Sequence, residues 1–124
     1  SSHLKTLDIS LYDTKITNEC LKILSESFSG NQPCSLETLK IYLGQNSHIS
    51  GPGFEKLFIE NSFLLKKLKH LTLNIENTKI PQTSLRKFKQ FLKENPTNLE
   101  ELLIDTDSNA KVEDLVKQIM DIIS

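Results

Sequence analysis

The chain contains an internal repeat, and this repeat constrains its fold more than any other feature of the sequence. Four leucine-rich segments align, and their first residues are 32, 32 and 31 positions apart. A period of this length predicts a stack of similar units, because one unit cannot bury an apolar face alone whereas neighbouring units together form one core. The segments are LKTLDISL from Leu4, LETLKIYL from Leu36, LKHLTLNI from Leu68 and LEELLIDT from Leu99.

Each repeated segment predicts a short β-strand with one buried face. Leucine occupies the first and fourth positions and Ile or Leu the sixth, and apolar and polar residues alternate from the fourth position onward. Such a period of two is typical of a strand that is buried on one side. Beyond the strand, Ile16, Ile49 and Ile80 each follow an Asp or Asn, and apolar residues then recur at helical spacing. The pattern therefore predicts strand, turn, helix and return loop in each unit.

We predict an α/β fold in which four units form a single domain. The expected unit boundaries are about 4–35, 36–67, 68–98 and 99–124. Consecutive parallel strands require a crossover connection, and the helical spacing between the repeated segments supplies it. A chain of 124 residues can bury a core of its own. Because neither end carries a recognisable capping unit, we expect the segment to be a fragment of a longer array.

The repeat resembles that of leucine-rich repeat proteins. Its long, helix-bearing units are similar to those of the ribonuclease-inhibitor-like class, although their period exceeds the usual length of about 20–29 residues. The composition, which is rich in Lys, Asn and Ile, is similar to that of arrays from ciliate-type protists. The resemblance implies a curved solenoid, a segment of a horseshoe, with parallel strands on the concave face and helices on the convex face. It is carried by Leu4, Leu7, Ile9 and Ile16; Leu36, Leu39, Ile41 and Ile49; Leu68, Leu71, Leu73 and Ile80; and Leu99, Leu102, Ile104 and Val112.

The glycine-containing stretch YLGQNSHISGPG, residues 42–53, is predicted to be a turn and not a phosphate-binding loop. It is the second copy of a turn whose other copies, YDTKITNE and ENTKIPQT, contain no glycine. Gly44, Gly51 and Gly53 also lack the spacing of the Walker and dinucleotide-binding motifs. We interpret these glycines as relaxing the turn geometry, with Pro52 near the first position of the following helix.

Charge is uneven along the chain although the net charge is only −1. Residues 66–93 carry a charge of +7, between segments of −2 and −6. These cations indicate either a patch for acidic protein tails or nucleic acid, or a solvated helix face beside an acidic fourth unit. No aromatic residues are interleaved at exposed positions to stack on bases, which argues against nucleic acid. The predicted outer cations are Arg86, Lys87, Lys89 and Lys93 on the helix, and Lys66, Lys67 and Lys69 in the preceding return loop.

The sequence predicts no catalytic, metal or cofactor site. His3, His48 and His70 are far apart in the chain, and no pair of His or Cys residues has the spacing of metal ligands. Glu100 and Glu101 are adjacent in a strand and would point to opposite faces, which does not suit paired acid–base chemistry. We therefore expect a protein that is not an enzyme and has no cofactor.

Cysteine use and hydropathy predict an intracellular, cytoplasmic protein. Only Cys20 and Cys34 are present, and we interpret them as small buried residues and not as a disulfide. No apolar run approaches membrane-spanning length, so a membrane is not expected as a partner. The first residues, SSHLKTL, lack the basic and apolar regions of a signal peptide.

In the predicted strands, the third, fifth and seventh side chains point away from the core and form columns across the concave face. We expect a protein partner of unknown identity to bind there, with Tyr42 and His70 as anchors, because aromatic rings contribute strongly to interfaces. The alternative is a structural or assembly subunit that packs within a large complex through its helices and charged patches. The predicted binding residues are Thr6, Asp8, Ser10, Thr38, Lys40, Tyr42, His70, Thr72, Asn74, Glu101, Leu103 and Asp105.

Overall fold

The chain has an α/β structure, as predicted, with helices alternating with the strands of a parallel sheet. The computed structural model describes residues 5–28 and 36–123, with the backbone alone at 62 and 63; His3, Leu4 and Cys34 lie outside these ranges. None of the described helices is long and apolar enough to cross a membrane. The elements are β1 Thr6–Ser10, α1 Asn18–Phe28, β2 Thr38–Tyr42, α2 Gly51–Glu55, a π-helical turn Lys56–Glu60, α3 Ser62–Lys67, β3 His70–Asn74, α4 Gln82–Glu94, β4 Glu101–Asp105 and α5 Ala110–Ile123.

The four strands form one parallel sheet in the order β1-β2-β3-β4, and their register follows the sequence repeat. Leu7 is paired with Leu39, Leu39 with Leu71, and Leu71 with Leu102. The side chains of Leu39 and Leu71 are fully buried, whereas Leu7, in the first strand, is only half-buried. The predicted strand leucines therefore lie side by side under the sheet, in one continuous row.

The core lies between the buried face of the sheet and the helices. Its largest side chains are Phe54 of α2, Phe58 of the π-helical turn and Phe88 of α4, all with 0 % exposure. Their ring centroids are 5.3 Å (Phe54–Phe58), 5.4 Å (Phe54–Phe88) and 6.2 Å (Phe58–Phe88) apart, and Phe54 and Phe88 meet edge to face. Such aromatic contacts stabilise a fold beyond the free energy of apolar burial. Because Phe54 and Phe58 belong to the second unit and Phe88 to the third, the contacts hold the helices of these two units together.

The turn that follows each of the first three strands has a backbone conformation that repeats with the sequence. Asp13, Gln45 and Asn77 have φ angles of 52°, 62° and 54°, in the left-handed region. Hydrogen bonds connect neighbouring turns: the Asp13 amide donates to the Gly44 carbonyl oxygen at 2.9 Å, and the Gln45 amide to that of Glu76 at 2.8 Å. The register of the sheet thus continues beyond the ends of the strands.

Asn46 fills the interior of the second turn and links it to the first. Its side chain is only 1 % exposed. The amide nitrogen donates to the carbonyl oxygens of Leu11 at 2.7 Å and Leu43 at 2.8 Å, and the amide oxygen accepts from the backbone N–H of Thr14 at 3.1 Å. Because buried backbone groups need hydrogen-bond partners, this one side chain replaces the water that the bend would otherwise require.

The glycines of residues 42–53 have a different role from the one expected. Gly44, Gly51 and Gly53 all have φ outside the left-handed region, so their special backbone freedom is not used. A Cβ atom at Gly51 would lie 2.6 Å from Ser84 Oγ, and one at Gly44 would lie 2.7 Å from Asn74 Oδ1. The glycines therefore permit close approach of the neighbouring units on both sides. The prediction that Pro52 lies near a helix start is confirmed, since α2 begins at residue 51.

The second unit departs from the predicted return loop. Lys66 and Lys67, expected in that loop, form the last turn of α3. Leu64 and Leu65 of this helix are 3 % and 0 % exposed, and cations are favoured near the carboxyl end of a helix. The burial of two further apolar side chains gives the return segment a helical conformation that the repeat pattern did not reveal.

Candidate functional site

The face of the sheet opposite the core carries all twelve predicted binding residues; we call it the open face. In each strand, the residues on this face are more exposed than their neighbours, and in β2 the exposures alternate between half-buried and buried. The register arranges them in three columns across the strands. The columns are Thr6, Thr38, His70 and Glu101; Asp8, Lys40, Thr72 and Leu103; and Ser10, Tyr42, Asn74 and Asp105.

The middle of the open face is polar and rigidly supported. Lys40 and Thr72 are paired neighbours on β2 and β3, as are Tyr42 and Asn74, and all four side chains are half-buried. Neighbouring strands lie about 4.8 Å apart, so side chains within a column can contact each other. Beneath them, fully buried residues such as Leu71 hold the backbone in place. The sheet therefore fixes the spacing of these residues across the open face.

The open face extends two residues beyond the ends of the strands, to the position of Tyr12, and the strand prediction missed this extension. Tyr12 is 47 % exposed, and its ring lies against Gly44, where a Cβ atom would come within 2.8 Å of a ring carbon. Gly44 is the equivalent residue of the second unit and Glu76 that of the third, and the Glu76 backbone N–H donates to Asn74 Oδ1 at 3.1 Å. The period-two alternation from Ser10 to Tyr12 is the signal that could have revealed this extension.

The charged residues of the open face are Asp8 of β1, Lys40 of β2, and Glu101 and Asp105 of β4. Lys40 has no acidic group within 4.0 Å in the part of the chain that the structure describes. At the other side, β4 presents Glu101 and Asp105, and His70 Nδ1 lies 3.7 Å from Glu101 Oε1. The open face therefore has one lysine in β2, with carboxylates in β1 and β4.

A row of alternating charges runs along the amino-terminal edge of the sheet. Lys5 Nζ lies 3.7 Å from Glu37 Oε2, and Lys69 Nζ lies 3.7 Å from Glu37 Oε1. Glu100 follows in the same row, because its backbone N–H donates to the Lys69 carbonyl oxygen at 2.8 Å, as that of Glu37 does to Lys5. These ion pairs are exposed and contribute little to stability, but they match the register of the strands.

The predicted basic surface is partly neutralised. Lys87 Nζ lies 3.1 Å from Glu55 Oε1, and the buried hydroxyl of Ser84 donates to Glu55 Oε2 at 2.6 Å. The Ser84 hydrogen bond, with a further contribution from Lys87, lowers the pKa of the Glu55 carboxyl against the opposing effect of burial. Arg86 and Lys93 are exposed on the same helix. Glu55 is distant in the sequence, so the pattern within α4 could not indicate this pairing.

The described residues contain no group of three or more His, Cys, Asp or Glu side chains that could hold a metal ion. Cys20 is half-buried in α1, His48 is exposed in the second turn, and His70 lies on the open face. The sequence matches no protein-family model and no curated protein.

Proposed function

We propose that this chain is a segment of a leucine-rich repeat solenoid that binds a protein partner through the open face, as a non-catalytic interaction module. The in-register pairing of Leu7, Leu39, Leu71 and Leu102 supports the solenoid, because it repeats one strand–helix unit at a nearly constant period. In this proposal the open face is the concave surface.

The observation that carries the binding proposal is the contrast between the two faces of the sheet. One face is buried under the helices, whereas the other presents half-buried polar side chains around Tyr42 with an uncovered Leu103, which is 48 % exposed. Four strands span about 14 Å between β1 and β4, which is wide enough for one helix or one extended segment of a partner. Tyr42 and Leu103 would provide apolar contact and Lys40 a directional charge.

The test is a double substitution on the open face, Lys40→Glu with Tyr42→Ala, in affinity purification from the native cells. We expect partner recovery to fall by at least about tenfold, because truncating an interface anchor typically costs about 2 kcal/mol or more. Lys67→Glu, on the exposed end of α3, is the charge-matched control and should leave recovery unchanged. Far-UV circular dichroism must be the same for all three proteins. Undiminished recovery with the double variant would refute the proposal.

A photo-crosslinking amino acid in place of Thr72 tests which surface of the chain contacts the partner. Thr72 is half-buried in the middle column of the open face, so a crosslinker there should capture the partner. The same group at Lys67 should not. Capture only from Lys67 would show that the helix side, and not the open face, contacts the partner.

The exposed cations of α4 favour a second candidate, a structural or assembly subunit that packs through its helices. Arg86 and Lys93 are exposed there, and Lys87 is exposed despite its contact with Glu55. In this case Lys87→Glu with Lys89→Glu should release the chain from its complex, whereas the open-face double variant should not. The two candidates therefore predict opposite outcomes for the same pair of variants.

A further inference from the structure

We propose that the groove between α4 and α5 is a binding site for a phosphoryl group carried by a protein side chain. The groove has a volume of about 310 Å³. Gln82, Arg86 and Lys89 line it from α4, and Lys111, Asp114 and Gln118 line it from α5. It lies on the helix side of the molecule, away from the open face, so the inference does not depend on the proposed partner-binding role.

The groove has an excess of positive charge. Its three cationic side chains face one carboxylate, that of Asp114, which leaves a formal charge of +2. None of the three cations has an acidic group within 4.0 Å among residues 5–28 and 36–123. The three cations line the same groove and like charges repel each other, so a bound anion would lower the electrostatic energy of the folded protein.

A second cleft on the same side of the molecule provides an internal comparison. It has a volume of about 590 Å³, and its lining has as many acidic as basic side chains. Two of its ion pairs are formed, Lys56–Glu60 at 3.7 Å and Lys87–Glu55 at 3.1 Å. A balanced cleft of this kind does not favour an anion. The unbalanced charge therefore distinguishes the groove between α4 and α5 from this second cleft.

Hydrogen bonds within the groove hold two of the three cations, Lys89 and Arg86, in position. Gln118 Oε1 accepts from Lys89 Nζ at 2.6 Å, and Gln82 Oε1 accepts from an Arg86 terminal nitrogen at 3.1 Å. The amide nitrogen of Gln118, Nε2, donates to Asp114 Oδ2 at 2.9 Å. The carboxylate thus has a neutral partner, while the guanidinium and both ammonium groups keep further N–H donors for a ligand.

The side chains, and not the helix terminus, would provide the binding energy. The amide oxygen of Asn109 already accepts hydrogen bonds from the backbone N–H groups of Lys111 at 3.0 Å and Val112 at 3.3 Å. These capping bonds satisfy donors at the start of α5. A ligand in the groove would therefore be bound mainly by the three cationic side chains.

The charge of the groove favours a phosphoryl group over a carboxylate. A phosphorylated side chain carries a charge of about −1.5 to −2 near neutral pH, which matches the excess of +2, whereas a carboxylate carries −1. The planar guanidinium of Arg86 can donate two parallel hydrogen bonds to phosphate oxygens, and two lysines can complete the neutralisation. A phosphopeptide from a partner is the source that we propose.

The first experiment titrates the chain with inorganic phosphate at constant ionic strength and records backbone amide shifts by NMR. We expect saturable shifts at the α4–α5 groove, with at least a tenfold weaker affinity in Arg86→Gln with Lys89→Gln. Lys66→Gln with Lys93→Gln removes the same charge from exposed positions outside the groove and should bind as the parent does. Equal weakening in both double variants, or shifts that never saturate, would overturn the proposal.

The second experiment compares three versions of one peptide, which contain phosphoserine, serine or glutamate at the same position. Binding of the phosphoserine peptide at least tenfold tighter than that of the other two supports the proposed source. Equal binding of the glutamate peptide would overturn the preference for phosphate, and binding of inorganic phosphate without the phosphopeptide would overturn the proposed source. The open-face variant Lys40→Glu with Tyr42→Ala should bind phosphate normally, so failure of either proposal can be recognised separately.

Discussion

Truncation of equivalent leucines in different strands tests whether the units share one core. Leu71 and Leu7 occupy the same position in β3 and β1, but Leu71 is 0 % exposed between two neighbouring strands, whereas Leu7 is half-buried at the edge. Leu→Ala at a fully buried site costs about 2–5 kcal/mol, from lost transfer energy and the cavity that remains. We expect Leu71→Ala to cost about 3 kcal/mol of unfolding free energy.

The corresponding cost for Leu7→Ala should be about 1 kcal/mol, because part of this side chain is already in contact with solvent and less of a closed cavity would form. Urea unfolding followed by far-UV circular dichroism measures both values, provided that the slope of the transition is unchanged. Equal costs at the two positions would contradict the reasoning, since they would mean that each unit buries its leucine without help from its neighbours.

Three further predictions concern single side chains of the turns and helices. Asn46→Ala should lower the unfolding free energy by about 2–3 kcal/mol in urea unfolding, because the buried Leu43 carbonyl and the part-buried Leu11 carbonyl would each lose a hydrogen-bond donor. A loss below the error of the fit would contradict this. Carbon-detected NMR should place the Glu55 pKa below 4.5 and show that it rises in Ser84→Ala. Because the folded-state pKa is depressed, the ionised Glu55 stabilises the fold above the unfolded-state pKa, and this stabilisation is lost as pH falls through the folded-state pKa. A Glu55 pKa that does not change in Ser84→Ala would exclude the hydroxyl as the main cause. Gly51→Ala should reduce the thermal midpoint, since its Cβ would lie 2.6 Å from Ser84 Oγ, and an unchanged midpoint would show that the hydroxyl moves freely.

The strands and the open face could be predicted from the sequence because both depend on local periodicity. Alternating residues such as Leu39 and Lys40 must point to opposite faces of a strand. The equivalence of Leu39 and Leu71 in the repeat then predicts the register, and the structure has them paired. All twelve residues of the predicted face could be assigned in this way, whereas the binding role assigned to them stays a prediction.

Features that depend on contacts between units could not be read from the local pattern. Glu55 pairs with Lys87, and Gly51 is small because Ser84 of another helix approaches it. Nothing near either residue in the sequence indicates these neighbours. Similarly, the burial of Leu65 in α3 depends on how the return segment packs, and the repeat has no second copy of it for comparison. Equivalent positions in the repeat predict the strands and helices that all units share. The contacts that differ from unit to unit can be found only from the three-dimensional structure.

The alternating row Lys5, Glu37, Lys69 and Glu100 has a consequence for how the gene could change. Deleting one whole unit from the middle of the array would bring Lys5 beside Lys69, or Glu37 beside Glu100, and like charges opposed across neighbouring strands are destabilising by a few tenths of a kcal/mol. Deleting two consecutive units would preserve the alternation. On this ground alone, a gain or loss of two units, about 64 residues or twice the observed spacing, would disturb the edge of the sheet less than a gain or loss of one.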